Sequence, residues 1–230
     1  MSNKDLTEAI REPPGPSDHK LKTIREDDEN NAFRQASKAA PFKTIDQVVP
    51  VPDDVAIMIV HSGVTRGLVD GHYNARRRQC EAAAAAMGVP ALRDADLDML
   101  AAASLDAVTK MRARHVITEN QRTLDSADAL AKSDLATLGM LMAQSHRSMR
   151  DDFEITVPPV DALVVMLQKA IGTQGGARMT GGGFGGACVA VMPSAMVADV
   201  QAAITAKDRT PEGNAPIIMV ERPGHGVAIL

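Results

Sequence analysis

The chain has 230 residues, 45% of them hydrophobic, enough to bury a sizeable core in one domain or two small ones. A formal net charge of -4, one Tyr, four Phe and no Trp leave neither a broad basic field for phosphates nor stacking rings for single strands, which excludes nucleic acid as a partner. No apolar run reaches the roughly 18 residues a bilayer span needs and residues 1–20 hold no signal-peptide core. The expectation is therefore a cytoplasmic protein without a membrane partner, with Cys80 and Cys188 as reduced thiols.

Residues 1–41 mix charges of both signs with the breaker cluster Pro13, Pro14, Gly15, Pro16, a composition that does not offset chain-ordering entropy. This predicts a disordered leader, with 27–33 its best helical piece. Two β-rich segments follow, 42–52 and the almost wholly apolar 55–62, separated by a turn signal at 50–54. A helix is predicted over 70–87, with Arg76, Arg77 and Arg78 near its start and an alanine run at 82–86, stopped by Gly88 and Pro90. Helices over 94–103 and about 105–131 come next.

Ser133 reads as the N-cap of a helix in which Leu135, Leu138, Met142, Ser145 and Met149 share one face. Another helix starts at Pro158 and Pro159, with Val160, Leu163, Val164, Leu167 and Ile171 on one face and Gly172 as its stop. The tail reads as strands over 177–180 and 187–192 around a glycine cluster, a helix over 194–206 and a last strand over 217–221. Helices in the middle and strands at both ends predict an α+β domain with helices covering one face of a small sheet.

Residues 178–191 read RMTGGGFGGACVAV, with five glycines among six positions and Phe184 between them. Without Cβ atoms such a backbone can take positive φ and approach another chain or a phosphate closely. On spacing alone, a tight turn between strands and a ligand cradle both remain open. No Gly-Lys-Ser/Thr follows, so it is not a P-loop, and the acidic ribose partner and βαβ setting of a dinucleotide site are missing. Arg178 reads as a loop-anchoring ion pair, Arg76 to Arg78 as a solvated helix face pairing with Glu81, and Asp151 with Asp152 as solvated or capping carboxylates. The six histidines lack ligand spacing, and no metal site is predicted.

The glycine-rich string resembles the third conserved motif of the GHMP superfamily of small-molecule kinases, in the form used by galactokinases. Further blocks resemble galactokinase in the same order: HSGVTRGLVDGHYNARRRQCE at 61–81, PALRD at 90–94, RARHVITENQRT at 112–123, SHRSMRDDFEITVPPVD at 145–161, and the ending RPGHGV at 222–227. The resemblance implies a ferredoxin-like GHMP kinase C-terminal domain over 42–230, with helices packed on a small, mostly antiparallel sheet and 42–70 as a remnant of the N-terminal lobe. It also implies galactose phosphorylation by ATP with Mg²⁺. Carried over residue by residue, it makes Tyr73 a wall of the sugar pocket. It sets Thr180, Gly181, Gly182, Gly183, Phe184, Gly185 and Gly186 beside the active site. Two positions depart from the family's usual wording, Gly71 for serine and Gly63 for asparagine.

Galactokinases carry most of their phosphoryl-transfer groups in an N-terminal half, in G-R-x-N-L-I-G-E-H-x-D-Y, G-L-S-S-S and G-I-M-D-Q segments, and none of the three occurs in these 230 residues. Thr44 to Gln47, TIDQ, resembles the last, but it directly precedes a strand that galactokinases have well past their catalytic aspartate, so Asp46 is read as a decoy. The expectation is a truncated sugar kinase with no catalytic residue of its own, inactive alone, binding galactose and ATP if a complementing N-terminal chain supplies the missing lobe. The alternatives are a non-catalytic sugar- or nucleotide-binding regulatory module, and a mis-started gene product with an exposed interface.

Overall fold

The computed structural model describes residues 49, 51–64, 70–207, 213 and 215–221. The predicted leader, most of the strand over 42–52, Asp46 and the RPGHGV string lie outside the described residues. Among the described residues, apolar, partly β-branched runs give four strands: β1 Val55–His61, β2 Gly176–Thr180, β3 Ala187–Pro193 and β4 Ile217–Glu221. They lie in the order β2-β3-β1-β4, and each neighbouring pair is antiparallel. Helices separate β1 from β2 and β3 from β4, so this is the split βαββαβ order of the ferredoxin-like fold.

Among the described residues six helices accompany the sheet: α1 Asp70–Ala86, α2 Leu97–Ala102, α3 Ala107–Ala131, α4 Leu135–Asp151, α5 Pro158–Ile171 and α6 Val197–Lys207. The predicted helix over 94–103 is a 3-10 turn, Leu92–Asp94, followed by the shorter α2. The break falls where Asp96 caps α2 by accepting from the Met99 N–H at 2.7 Å. Asp106 caps α3 in the same way through the Thr109 N–H at 3.0 Å.

Ser133 is not the N-cap of α4. Asp134 takes that place, accepting from the Thr137 N–H at 2.9 Å and the Thr137 hydroxyl at 2.7 Å. Ser133 instead reverses the chain in a left-handed conformation, φ 56, where a Cβ is unfavourable. Ser133→Gly is accordingly expected to stabilise the chain by about 1 kcal/mol, read as a rise in the urea midpoint.

The main core forms where the α5 stripe of Val160, Leu163, Val164, Leu167 and Ile171 meets Met58 and Val60 of β1, Met179 of β2 and Cys188, Ala190 and Met192 of β3. Val200 and Ile204 bring α6 onto the same face. α5 starts on two prolines, which need no N–H partner there, and stops at Gly172 with φ 65. On the other face, Leu138 and Met142 of α4 pack with Val189 and Val191 of β3. α4 reaches that position because it passes β2 at backbone contact through Gly139, Gly175 and Gly176. A second cluster, including Ala83, Ala84, Leu100, Ala113 and Ile117, binds α1, α2 and α3.

Candidate functional site

The glycine-rich loop, residues 181–186, joins β2 to β3. Gly181, Gly183, Gly185 and Gly186 all have positive φ, and Phe184 does too, at 59. Space is as demanding as conformation: a Cβ at Gly183 would lie 2.6 Å from the Ile155 carbonyl oxygen, and one at Gly185 2.7 Å from that of Val64. The loop is therefore stitched to two segments distant in sequence. The Phe184 N–H donates to the Ile155 oxygen at 2.6 Å and the Gly186 N–H to the Val64 oxygen at 3.0 Å. In return the Gly186 oxygen accepts from the Ser62 N–H at 2.9 Å and the Ser62 hydroxyl at 2.7 Å.

The tight-turn reading of the glycine cluster thus has a physical basis, and two of its amides are already committed to the chain and are not free phosphate donors. Thr180 closes β2 opposite Ala187. The His72 ring, on the first turn of α1, lies 5.2 Å from the Phe184 ring, which brings α1 against the loop. Tyr73 follows His72 and is 62% exposed.

The charged residues sort differently from their sequence reading. Arg77 pairs with Glu81 at 2.8 Å, as a solvated face does. Arg76 is no such surface charge: it donates to the Phe153 oxygen at 2.6 Å and the Glu154 oxygen at 3.2 Å. Arg178 does not anchor the glycine loop. Its guanidinium lies 4.0 Å from Glu119 and 3.4 Å from the Ser145 hydroxyl, tying β2 to α3 and α4. Asp151 pairs with Arg150 at 2.7 Å, while Asp152 ends α4 and accepts from the Ser148 hydroxyl at 2.9 Å.

Between α3 and α4 runs a polar ladder that sequence reading missed. Arg112 meets the Asp152 carbonyl, His115 Nδ1 lies 3.0 Å from the Ser148 hydroxyl, and the Ser145 hydroxyl donates to Glu119. The signal was present as polar residues three or four apart in both strings, at 112, 115 and 119 and at 145, 148 and 152, but an inward polar stripe looks like an outward one until its partner helix is known. Burial pushes the His115 imidazole down to about 4, against a smaller opposing pull from Glu119, so it is neutral and stacked on Phe153. Burial pushes Glu119 upward, but hydrogen bonds from Ser145 and Arg122 outweigh it and hold the carboxyl below its ordinary range. His146 of α4 is likewise lowered, chiefly by burial. It accepts the Met179 N–H at Nδ1, while Nε2 lies 3.1 Å from Asp161 without the alignment of a hydrogen bond.

A groove of about 380 Å³ opens on the outer side of the ladder. Arg114, Arg122 and Arg147 line it with Asp151 and Asp152, and Glu119 is bonded to Arg122, so its charges balance and none of its residues belongs to the glycine loop. Among the described residues no three His, Cys, Asp or Glu side chains are gathered where they could hold a metal ion, and no helix is long and apolar enough to cross a membrane.

Residues 126–209, from within α3 to just past α6, match the family model described as GHMP kinases C terminal. Over this segment the chain is similar to GHMP kinase C-terminal domains. Its fold is also that of the Lactococcus lactis galactokinase whose crystal structure was determined in complex with galactose, with a TM-score of 0.67 and 29% sequence identity over 75% of this chain. The match spans 46% of the Lactococcus protein, about half its length. Within the matched segment, the string that carried the sequence resemblance is the loop whose Gly183 and Gly185 are required by contact with Ile155 and Val64.

Proposed function

We propose that this chain is the C-terminal part of a cytoplasmic galactokinase-type sugar kinase, in which galactose receives the γ-phosphoryl group of ATP. The observation that carries this reading is the likeness to the Lactococcus galactokinase, at 29% identity over three quarters of the chain and with a TM-score of 0.67. Phosphoryl transfer is achieved mainly by positioning and by electrostatic stabilisation of the transferred group. In this reading the loop 180–186 forms a rigid wall of the site, Tyr73 offers an exposed ring and hydroxyl to the sugar, and His72 packs on Phe184 to hold α1 against that wall.

ATP when bound supplies the phosphoryl group, and Mg²⁺ its counter-charge. Among the described residues no three His, Cys, Asp or Glu side chains are gathered where they could hold a metal ion, and two loop amides are already satisfied within the chain. No step of the transfer is therefore assigned to them.

The 230-residue chain assayed by itself is expected to show no galactose-dependent ADP release in a coupled assay. Adding a chain that contains the three N-terminal segments is expected to restore both turnover and galactose binding by calorimetry. Turnover by the chain alone would overturn the inactivity, and absence of galactose and ATP binding even with the complementing chain would overturn the kinase reading. Binding without turnover in that mixture would instead favour a non-catalytic sugar-binding module.

A further inference from the structure

The connection from α4 to α5 is held by two arginines from elsewhere in the chain. Arg112 of α3, only 2% exposed, donates to the carbonyl oxygen of Asp152 and to the carboxylate of Glu154. Arg76 of α1 donates to the carbonyl oxygens of Phe153 and Glu154 and lies 3.6 Å from the Glu154 carboxylate. Three consecutive carbonyls are thus taken by guanidinium groups. Between them Glu154 stands at φ 50, a conformation unfavourable for a residue with a Cβ.

Burying a guanidinium is costly, and a packed apolar side chain would stabilise the fold as well or better. For Arg112 part of that cost is not offset, for its Nε has no hydrogen-bond partner. What it obtains is a fixed backbone at residues 152–154. The next residue carries that fixity onward: Ile155 receives the Phe184 N–H at its carbonyl oxygen and leaves no room for a Cβ at Gly183.

We propose that Glu154, gripped by Arg76 and Arg112, is the positioning residue of the glycine loop. Its turn sets where the Ile155 carbonyl stands, and that carbonyl sets where the loop stands relative to α1 and α3. The functional weight of this device rests on the reading of the loop as a wall of the sugar kinase site; the coupling itself does not.

Hydrogen exchange on the full chain, resolved at the Phe184 amide, tests it without any ligand. The Glu154 side chain is more than half exposed, so Glu154→Ala removes the carboxylate part of the grip, leaving the three carbonyl contacts, without opening a core cavity. Exchange at Phe184 is expected to quicken about tenfold in Glu154→Ala, with α5 and β1 unchanged, and Glu154→Gln, which keeps an acceptor for Arg112, is expected to retain part of the protection. Unchanged exchange at Phe184 in Glu154→Ala would overturn the proposal. So would equal acceleration throughout α5 and β1, since that would mark Glu154 as a general support of the fold. Failure of galactose binding in the complemented mixture bears on the kinase reading and leaves this result standing.

Discussion

Gly139→Ala is expected to destabilise the chain by about 3 kcal/mol or more, measured by urea unfolding. A Cβ at this position would lie 1.8 Å from the Gly175 carbonyl oxygen and 2.6 Å from its carbonyl carbon, and a Cβ at Gly176 would in turn lie 2.5 Å from the Gly139 Cα. The obstacles are backbone atoms on both sides. No rotamer change relieves them, so α4 must move away from β2, and Leu138 and Met142 with it from Val189 and Val191. The gain of about 1 kcal/mol that alanine brings to a helix interior does not compensate. Gly71 of α1 is the control: nothing lies within 4 Å of a Cβ there, so Gly71→Ala is expected to be neutral or mildly stabilising. An unchanged urea midpoint in Gly139→Ala would mean that α4 and β2 are not in backbone contact.

The second large effect is on pH. His115 has its pKa lowered from 6.5 to about 4, chiefly by burial, so between these values the unfolded chain binds a proton that the folded chain refuses. Protonation then favours unfolding. Stability is complete above pH 6.5, is lost as pH falls toward 4, and changes little more from this group below that. The full loss from His115 is about 3 kcal/mol. His146, also lowered by burial, acts in the same direction. Glu119, held below its ordinary range, is destabilising only at lower pH, when it is protonated. Urea unfolding at intervals from pH 7.5 to 4.5 therefore isolates the histidines in its upper part. Equal stability at pH 7 and pH 5 would show that His115 is not buried neutral against Ser148.

Several elements were legible because their signal is local. The stripe of α5 between its prolines and Gly172, and the last strand Ile217–Glu221, follow from periods and stop signals within a dozen residues. The glycine loop was visible as a loop for the same reason. Ser133 was misread because a serine and an aspartate, both good caps, stand side by side, and the choice fell to the Thr137 N–H and hydroxyl. Arg76, Arg112 and Arg178 were unreadable in kind: an arginine's sequence neighbourhood says nothing of a carbonyl 77 residues away.

The sequence by itself determined the order of strands and helices and, through the strings around the glycine cluster, the resemblance to sugar kinases. The four-strand order, the backbone contact of α4 with β2, and the inward direction of the polar ladder were decided only in the tertiary structure. Periodicity tells which residues share a face of one element, whereas burial and hydrogen bonding depend on which second element meets that face.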